Sequence, residues 1–229
     1  MTANTKLSGA QRRAAIIYAV RGVFADNGFH GTTTRALAEA AGVSEALLFK
    51  HFPTKEALYA AMQESCCSEQ DLGMFERLTA LPPSAATLVQ MVRFLVSRIV
   101  DGRSRGDEQR VLNRLMLRSL AEDGEFARLL LRRLAAEWVP KFAQCLRVAL
   151  ANGDASRRGV RGNLSAWFVH HLAAMIAFSS TPEHAVVDYR VSRQALVEQV
   201  VLFTLRGMGL KERVIRQSYD RQGAGQSGR

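Results

Sequence analysis

Much that would frame a function is missing from this chain of 229 residues. Cysteine is scarce, three in all with two adjacent at Cys66 and Cys67. That excludes a disulfide framework and fits a reducing compartment. The C-x2-C spacing of a zinc site is absent. The N-terminal MTANTKLSGAQRRAA lacks the apolar run of a secretion signal, so the expectation is a cytoplasmic protein. One long stretch, Leu164 to Thr181, is free of Asp, Glu, Lys and Arg. At about 18 residues, with His170, His171 and several serines inside it, it reads as a buried helix rather than a membrane span. No segment shows strand-like alternation, which leaves an all-α fold. Acidic residues are outnumbered 21 to 31, a formal charge of +10 that favours an anionic partner without naming it. Residues 1–62 hold only seven basic and four acidic side chains, so the positive charge is not concentrated there.

What is present is organised around Thr33 to Phe52, TTRALAEAAGVSEALLFKHF. Leu37, Ala38 and Ala41 fall at helical spacing on a first segment, and Val43, Leu47, Leu48 and Phe52 form a matching apolar edge on a second. Thr33 and Ser44 are placed as N-caps of the two helices. Gly42 lies between them, where so short a turn needs a residue that tolerates positive φ, and Ala38 is small enough for a close crossing. Upstream, Ile16, Val20, Val23 and Phe24 recur at three and four, predicting an amphipathic helix from about Gln11 that stops at Asn27 and Gly28. Downstream, Pro53 ends the second helix of the pair and Thr54 caps a fourth, expected to run well past Met62.

With these residues in view, LAEAAGVSEALLFKHFPTKEAL resembles the DNA-binding helix-turn-helix of the TetR family of bacterial transcriptional regulators. Arg13, Ile16, Val20, Phe24 and Gly28 upstream, and Pro53, Thr54, Lys55 and Leu58 downstream, fall on the same family pattern. The likeness covers about a quarter of the chain. Two positions depart from it: Phe49 stands where the family usually has tyrosine, and so has no hydroxyl for a phosphate, and Ala46 stands where glycine is frequent.

The remainder reads as long helices. Past Leu81-Pro82-Pro83 these are expected at about Ala85 to Val100, Glu108 to Ala121 and Glu125 to Ala151, the last bent near Val139 by Pro140. Asn152 to Gly162 reads as a charged, mobile surface connection. Two further helices, about Asn163 to Ser180 and Val191 to Gly207, are apolar nearly all round and so need two partners each. The expected division is a helix-turn-helix domain over 1–54, a helical ligand-binding and dimerisation domain over 55–210, and a frayed tail over 211–229.

The resemblance implies a dimeric regulator, usually a repressor, that binds a near-palindromic double-stranded DNA operator and is released by a small apolar or amphipathic effector. No cofactor and no membrane enter this reading. Glu45, Ala46 and Lys50 are then the candidates for base edges. Thr33, Arg35, His51, Thr54 and Lys55 match positions that often contact phosphate, and Ser44 belongs to the same surface. The helix dipole alone would equally explain Glu45. Met91, Phe94, Met116, Trp138, Phe142, Trp167 and His170 suit the wall of an effector cavity, and equally suit plain core. Trp167, His171, Ala174, Phe178, Leu196, Val200 and Phe203 are the candidates for the dimer interface. Two alternatives stay open at this point. One is a thiol sensor using Cys66 and Cys67; the other is a metal protein or enzyme using His170 and His171, although neighbours on a helix point about 100° apart.

Overall fold

The computed structural model describes residues 7–65, 69–101, 107–157 and 161–217. Among these residues the chain is all-α. Its helices are α1 (Gly9–Gly31), α2 (Thr34–Ala40), α3 (Glu45–His51), α4 (Lys55–Glu64), α5 (Glu69–Ala80), α6 (Ala85–Val100), α7 (Asp107–Ala121), α8 (Glu125–Arg133), α9 (Val139–Ala151), α10 (Gly162–Ser179) and α11 (Arg193–Gly207). They form two compact units, one of residues 1–69 and 107–130 and the other of residues 70–106 and 131–229. The first unit is therefore larger than the stretch that carries the motif, taking in α4 and, from far along the chain, α7.

In the first unit α1 is the spine. Its buried residues Ile16, Val20, Phe24 and Gly28 make the stripe read from the sequence. Helical geometry breaks at Gly28 (φ 70°, ψ 177°) and one further turn carries the chain to Gly31. Gly28 is required by its left-handed φ, and the flexible Arg118 side chain lies against it, its Nε 2.8 Å from where a Cβ would stand. Arg118 donates to the carbonyls of Asp26 (3.1 Å) and Asn27 (3.2 Å), and Arg114 pairs with Asp26 at 2.7 Å, so α7 is fastened along α1 at this break. Helix α4 stops at Glu64 rather than running on. Ser65 is its C-cap, and Arg21 donates to the Ser65 hydroxyl (3.0 Å) and to its carbonyl (2.9 Å), an acceptor that a longer helix would have used internally. Cys66 and Cys67 lie outside the described residues.

In the second unit α6 is the central helix, lying against α9, α10 and α11. It can be so because nine of its sixteen residues are buried, among them Leu88, Val89, Met91, Val92 and Val96. The disturbance expected near Val139 takes the form of a π-helical turn, Leu134–Trp138, directly before Pro140 at the start of α9. Widening that turn accommodates a proline ring and its missing N–H without breaking the rod.

Two expectations are corrected here. The first part of the connection after α9 is anchored rather than loose: Ala155 is buried and bridges Leu210, Ser156 N–H donates to Gly209 O (2.8 Å), and Lys211 N–H donates to Asp154 O (2.9 Å). The chain after Leu210 does not fray at once. Residues 212–217 are helical, Val214 and Ile215 are buried in the core of this unit, and Arg213 pairs with Asp154 at 2.8 Å. Apolar side chains at the start of a polar tail gave the sequence reading too little weight.

Candidate nucleic-acid interface

The helix-turn-helix is built by its caps and its turn. Thr33 Oγ1 accepts from Ala36 N–H (3.2 Å), Ser44 Oγ from Leu47 N–H (3.2 Å) and Thr54 Oγ1 from Ala57 N–H (3.1 Å). Each helix thus begins where a hydroxyl meets a free N–H. Between α2 and α3, Gly42 has φ +62° with open space where a Cβ would stand, so conformation rather than crowding requires glycine. Its N–H donates to Glu39 O (3.1 Å), and Val43 N–H donates to Ala38 O (3.0 Å). Leu37, Ala38 and Leu48 are buried, with Phe52 closing the far end of α3.

Two cations tie neighbouring helices to α1, Arg13 reaching the end of α3 and Lys55 joining the start of α4 to the end of α1. Arg13 donates to the carbonyl of His51 (2.6 Å) while its guanidinium lies 4.1 Å from the Phe52 ring centroid. Lys55 donates to the carbonyls of Phe29 (2.9 Å) and Thr32 (3.0 Å), with its ammonium 4.3 Å from the Phe29 ring. A cation is favoured there, since these acceptors close the C-terminal end of α1. Two of the three Lys55 N–H donors are therefore used inside the unit, and the side chain is part-buried. The sequence placed Lys55 on the family pattern, and nothing local to it showed acceptors 23 and 26 residues upstream.

The outward face of α3 carries Glu45, Ala46, Phe49 and Lys50, all exposed, while Leu48 is buried and Leu47 and His51 are half-buried. Glu45 is engaged: Thr34 Oγ1 donates to its carboxylate at 2.7 Å. Arg35 pairs with Glu39 at 2.9 Å, and that hydrogen bond raises the guanidinium pKa above its ordinary value. Thr33, Ser44 and Thr54 are exposed. The exposed positions of α3 thus combine the charged Glu45 and Lys50 with the apolar Ala46 and Phe49.

The effector and dimer candidates divide differently. Met91, Trp138 and Phe142 are in the core of the second unit, and Phe94 and Trp167 pack against it; Met116, buried on α7, belongs to the first unit and does not join them. Trp138 stacks on Phe75 (centroids 4.8 Å) and tilts against Phe94 (5.8 Å). Its Nε1–H is fully buried with no acceptor. His170 Nδ1 is likewise buried without a partner, and burial, with His171 beside it, pushes the imidazole pKa down to about 4. It is neutral at physiological pH. Burial also raises the Cys145 thiol above its ordinary range.

On α10 and α11, Ala174 and Val200 face inward and are buried within their own unit. The exposed apolar stripe is instead Leu164 (44% exposed), Phe168 (53%) and Met175 (64%), joined by His171 and by Phe203 (70%) on α11. Trp167, Phe178 and Leu196 are half-buried. Both faces of α10 are apolar, so spacing alone did not show which one the core takes. Among the described residues no three His, Cys, Asp or Glu side chains gather as a metal site, and none of the helices is long and apolar enough to cross a membrane. The rings of His170 and His171 are 5.4 Å apart and nearly perpendicular.

Comparison with known proteins bears on this arrangement. Residues 16–62 match the model of bacterial regulatory proteins of the tetR family. The chain is similar to the HTH-type transcriptional regulator RutR of Escherichia coli (strain K12), 47% identical over 51 residues, which is 22% of this chain and 24% of that protein. The match thus spans about a quarter of that relative's length. Among solved structures it resembles NalD, the secondary repressor of the MexAB-OprM multidrug efflux pump in Pseudomonas aeruginosa. The TM-score is 0.65 at 18% identity, covering 87% of this chain and 96% of that one. It also resembles AibR, solved in complex with isovaleryl coenzyme A and operator DNA, with a TM-score of 0.60 at 19% identity, covering 84% and 97%. At such identities these two establish the fold. The motif and its matched model together show that the chain resembles, over residues 16–62, the bacterial regulatory proteins of the tetR family.

Proposed function

We propose that this protein is a cytoplasmic, dimeric transcriptional regulator that binds a near-palindromic DNA operator and is released from it by a small apolar or amphipathic effector, acting as a repressor. The observation that carries the reading is the capped helix-turn-helix whose second helix turns four consecutive-face side chains, Glu45, Ala46, Phe49 and Lys50, outward. In a dimer two such helices meet half-sites about one DNA turn apart, or a multiple of it. Residues 1–54 supply the reading surface in this proposal. Within it Thr33, Arg35, Ser44, His51 and Thr54 lie around the groove-facing residues, with the remaining N–H of Lys55, and contact phosphate. Residues 55–210 supply dimerisation and effector binding.

The exposed stripe of Leu164, Phe168, Met175 and Phe203 supports pairing through α10 and α11, since apolar surface of this extent is otherwise left in water. The aromatic group of Phe75, Phe94 and Trp138, with a buried indole N–H lacking an acceptor, supports an effector site in the second unit. Effector binding to a conformation unable to fit the operator shifts the population away from DNA.

Selection from a random DNA pool at about physiological salt, followed by titration of the winner, tests the reading. The expected result is a palindrome bound by one dimer, with affinity falling steeply as salt rises. A folded dimer that enriches no sequence would overturn it.

A further inference from the structure

Deepening that reading and resting on it, we infer that α3 recognises its half-site through thymine methyl groups, with Phe49 and Ala46 as the residues that contact them. Four exposed side chains define the outward face of this helix, and their chemistry is lopsided. Glu45, the one carboxylate, has its oxygen taken by the Thr34 hydroxyl at 2.7 Å, which draws it towards the start of α2. Lys50 is a flexible point charge as suited to phosphate as to a base. What remains at the centre is Ala46 and, one turn on, Phe49, an aromatic ring left 39% exposed on a helix that buries Leu48 completely.

The Phe49 ring lies on the exposed side of α3, where it is available to a partner. The occupant is set by the charge around it. Lys50 is exposed on the same helix, and the whole chain carries +10, which favours a polyanion over an apolar protein surface. In the major groove of DNA the base edges are hydrogen-bonding groups with a single apolar exception, the C5-methyl of thymine, to which alanine and phenylalanine side chains fit. Phe49 has no hydroxyl to hydrogen-bond a phosphate. Its ring is thus free to give contact area to bases, and Ala46 adds a methyl on the same face without blocking the approach.

The experiment uses the full-length protein and the DNA recovered by selection. Thymines of the half-site are replaced one at a time by deoxyuridine, which deletes the methyl and leaves base pairing intact. At one position or more, wild-type protein should bind about fourfold more weakly, the worth of one buried methyl. Phe49→Ala protein, shown by circular dichroism and light scattering to keep its helices and dimer, should bind both DNAs more weakly and discriminate between them less than twofold. The deoxyuridine series alters no protein atom, so it stands whatever the variant's stability. If no replacement matters to the wild type while sequence preference persists, the inference falls and the regulator stands. Equal discrimination by wild type and Phe49→Ala would overturn the role of Phe49. A failure to select any sequence overturns the regulator itself, and the inference with it.

Discussion

In the first unit α2 and α3 have seven residues each and bury only Leu37, Ala38 and Leu48 between them, whereas in the second unit α6 alone buries nine. Helices so short cannot be held by their faces. They are held by their ends, through the Thr33 and Ser44 hydroxyl caps, one left-handed glycine between them, and Arg13 on the His51 carbonyl, with Lys55 closing the end of α1 just before α2. The second unit works the other way, with broad apolar faces and a core tolerant enough to keep a fully buried indole N–H without an acceptor. End chemistry fixes direction closely, as a helix entering a groove needs. Face packing gives stability and leaves room to rearrange.

The largest test of that contrast is at Trp138. Trp138→Ala should cost about 3–5 kcal/mol in urea unfolding, through loss of packing with Phe75 and Phe94. Trp138→Phe should cost clearly less than Trp138→Ala, because an aromatic ring is kept and no hydrogen bond is lost with the N–H. Were phenylalanine as damaging as alanine, the indole would have an acceptor after all.

Next is pH. His170 has its pKa lowered from 6.5 to about 4 by burial and by His171, so between those values the unfolded chain binds a proton that the folded one refuses. Stability is therefore full above pH 6.5 and is lost as pH falls towards 4, by on the order of 3 kcal/mol. His170→Gln should flatten that part of the stability profile.

Lys55→Ala follows, at about 1–3 kcal/mol, for it strands the carbonyls of Phe29 and Thr32. Hydrogen exchange should loosen at the end of α1. The salt slope of DNA binding should change by one phosphate's worth at most, from the single N–H left over. A large change in slope with unaltered stability would mean that the side chain works outward. The smallest effect is Ser44→Ala, about 1 kcal/mol, read as a lowered unfolding midpoint with α3 frayed at its start.

How much of this was legible follows from the same division. Caps, the left-handed Gly42 and the stop at Gly28 are local signals, and each was readable within three or four residues of its cause. Arg118 on Asp26 and Asn27, and Lys55 on Phe29 and Thr32, depend on partners far along the chain, which periodicity does not reveal. In the second unit the helices α6, α10 and α11 were visible from their spacing, yet the inward face of α10 was not, since Ala174 and Phe168 stand on faces of similar hydropathy. Met116 shows the same limit: a core methionine announces burial without announcing in which core.

The fastening of α7 along α1 bears on how this protein can be cut and recombined. A fragment ending near residue 62 would contain every residue matched by the family model. It would lack Arg114 and Arg118, and with them the ion pair to Asp26 and the hydrogen bonds to the carbonyls of Asp26 and Asn27 beside Gly28. A chimera that transplants this helix-turn-helix should carry residues 107–130 with it, because the compact unit is discontinuous in sequence.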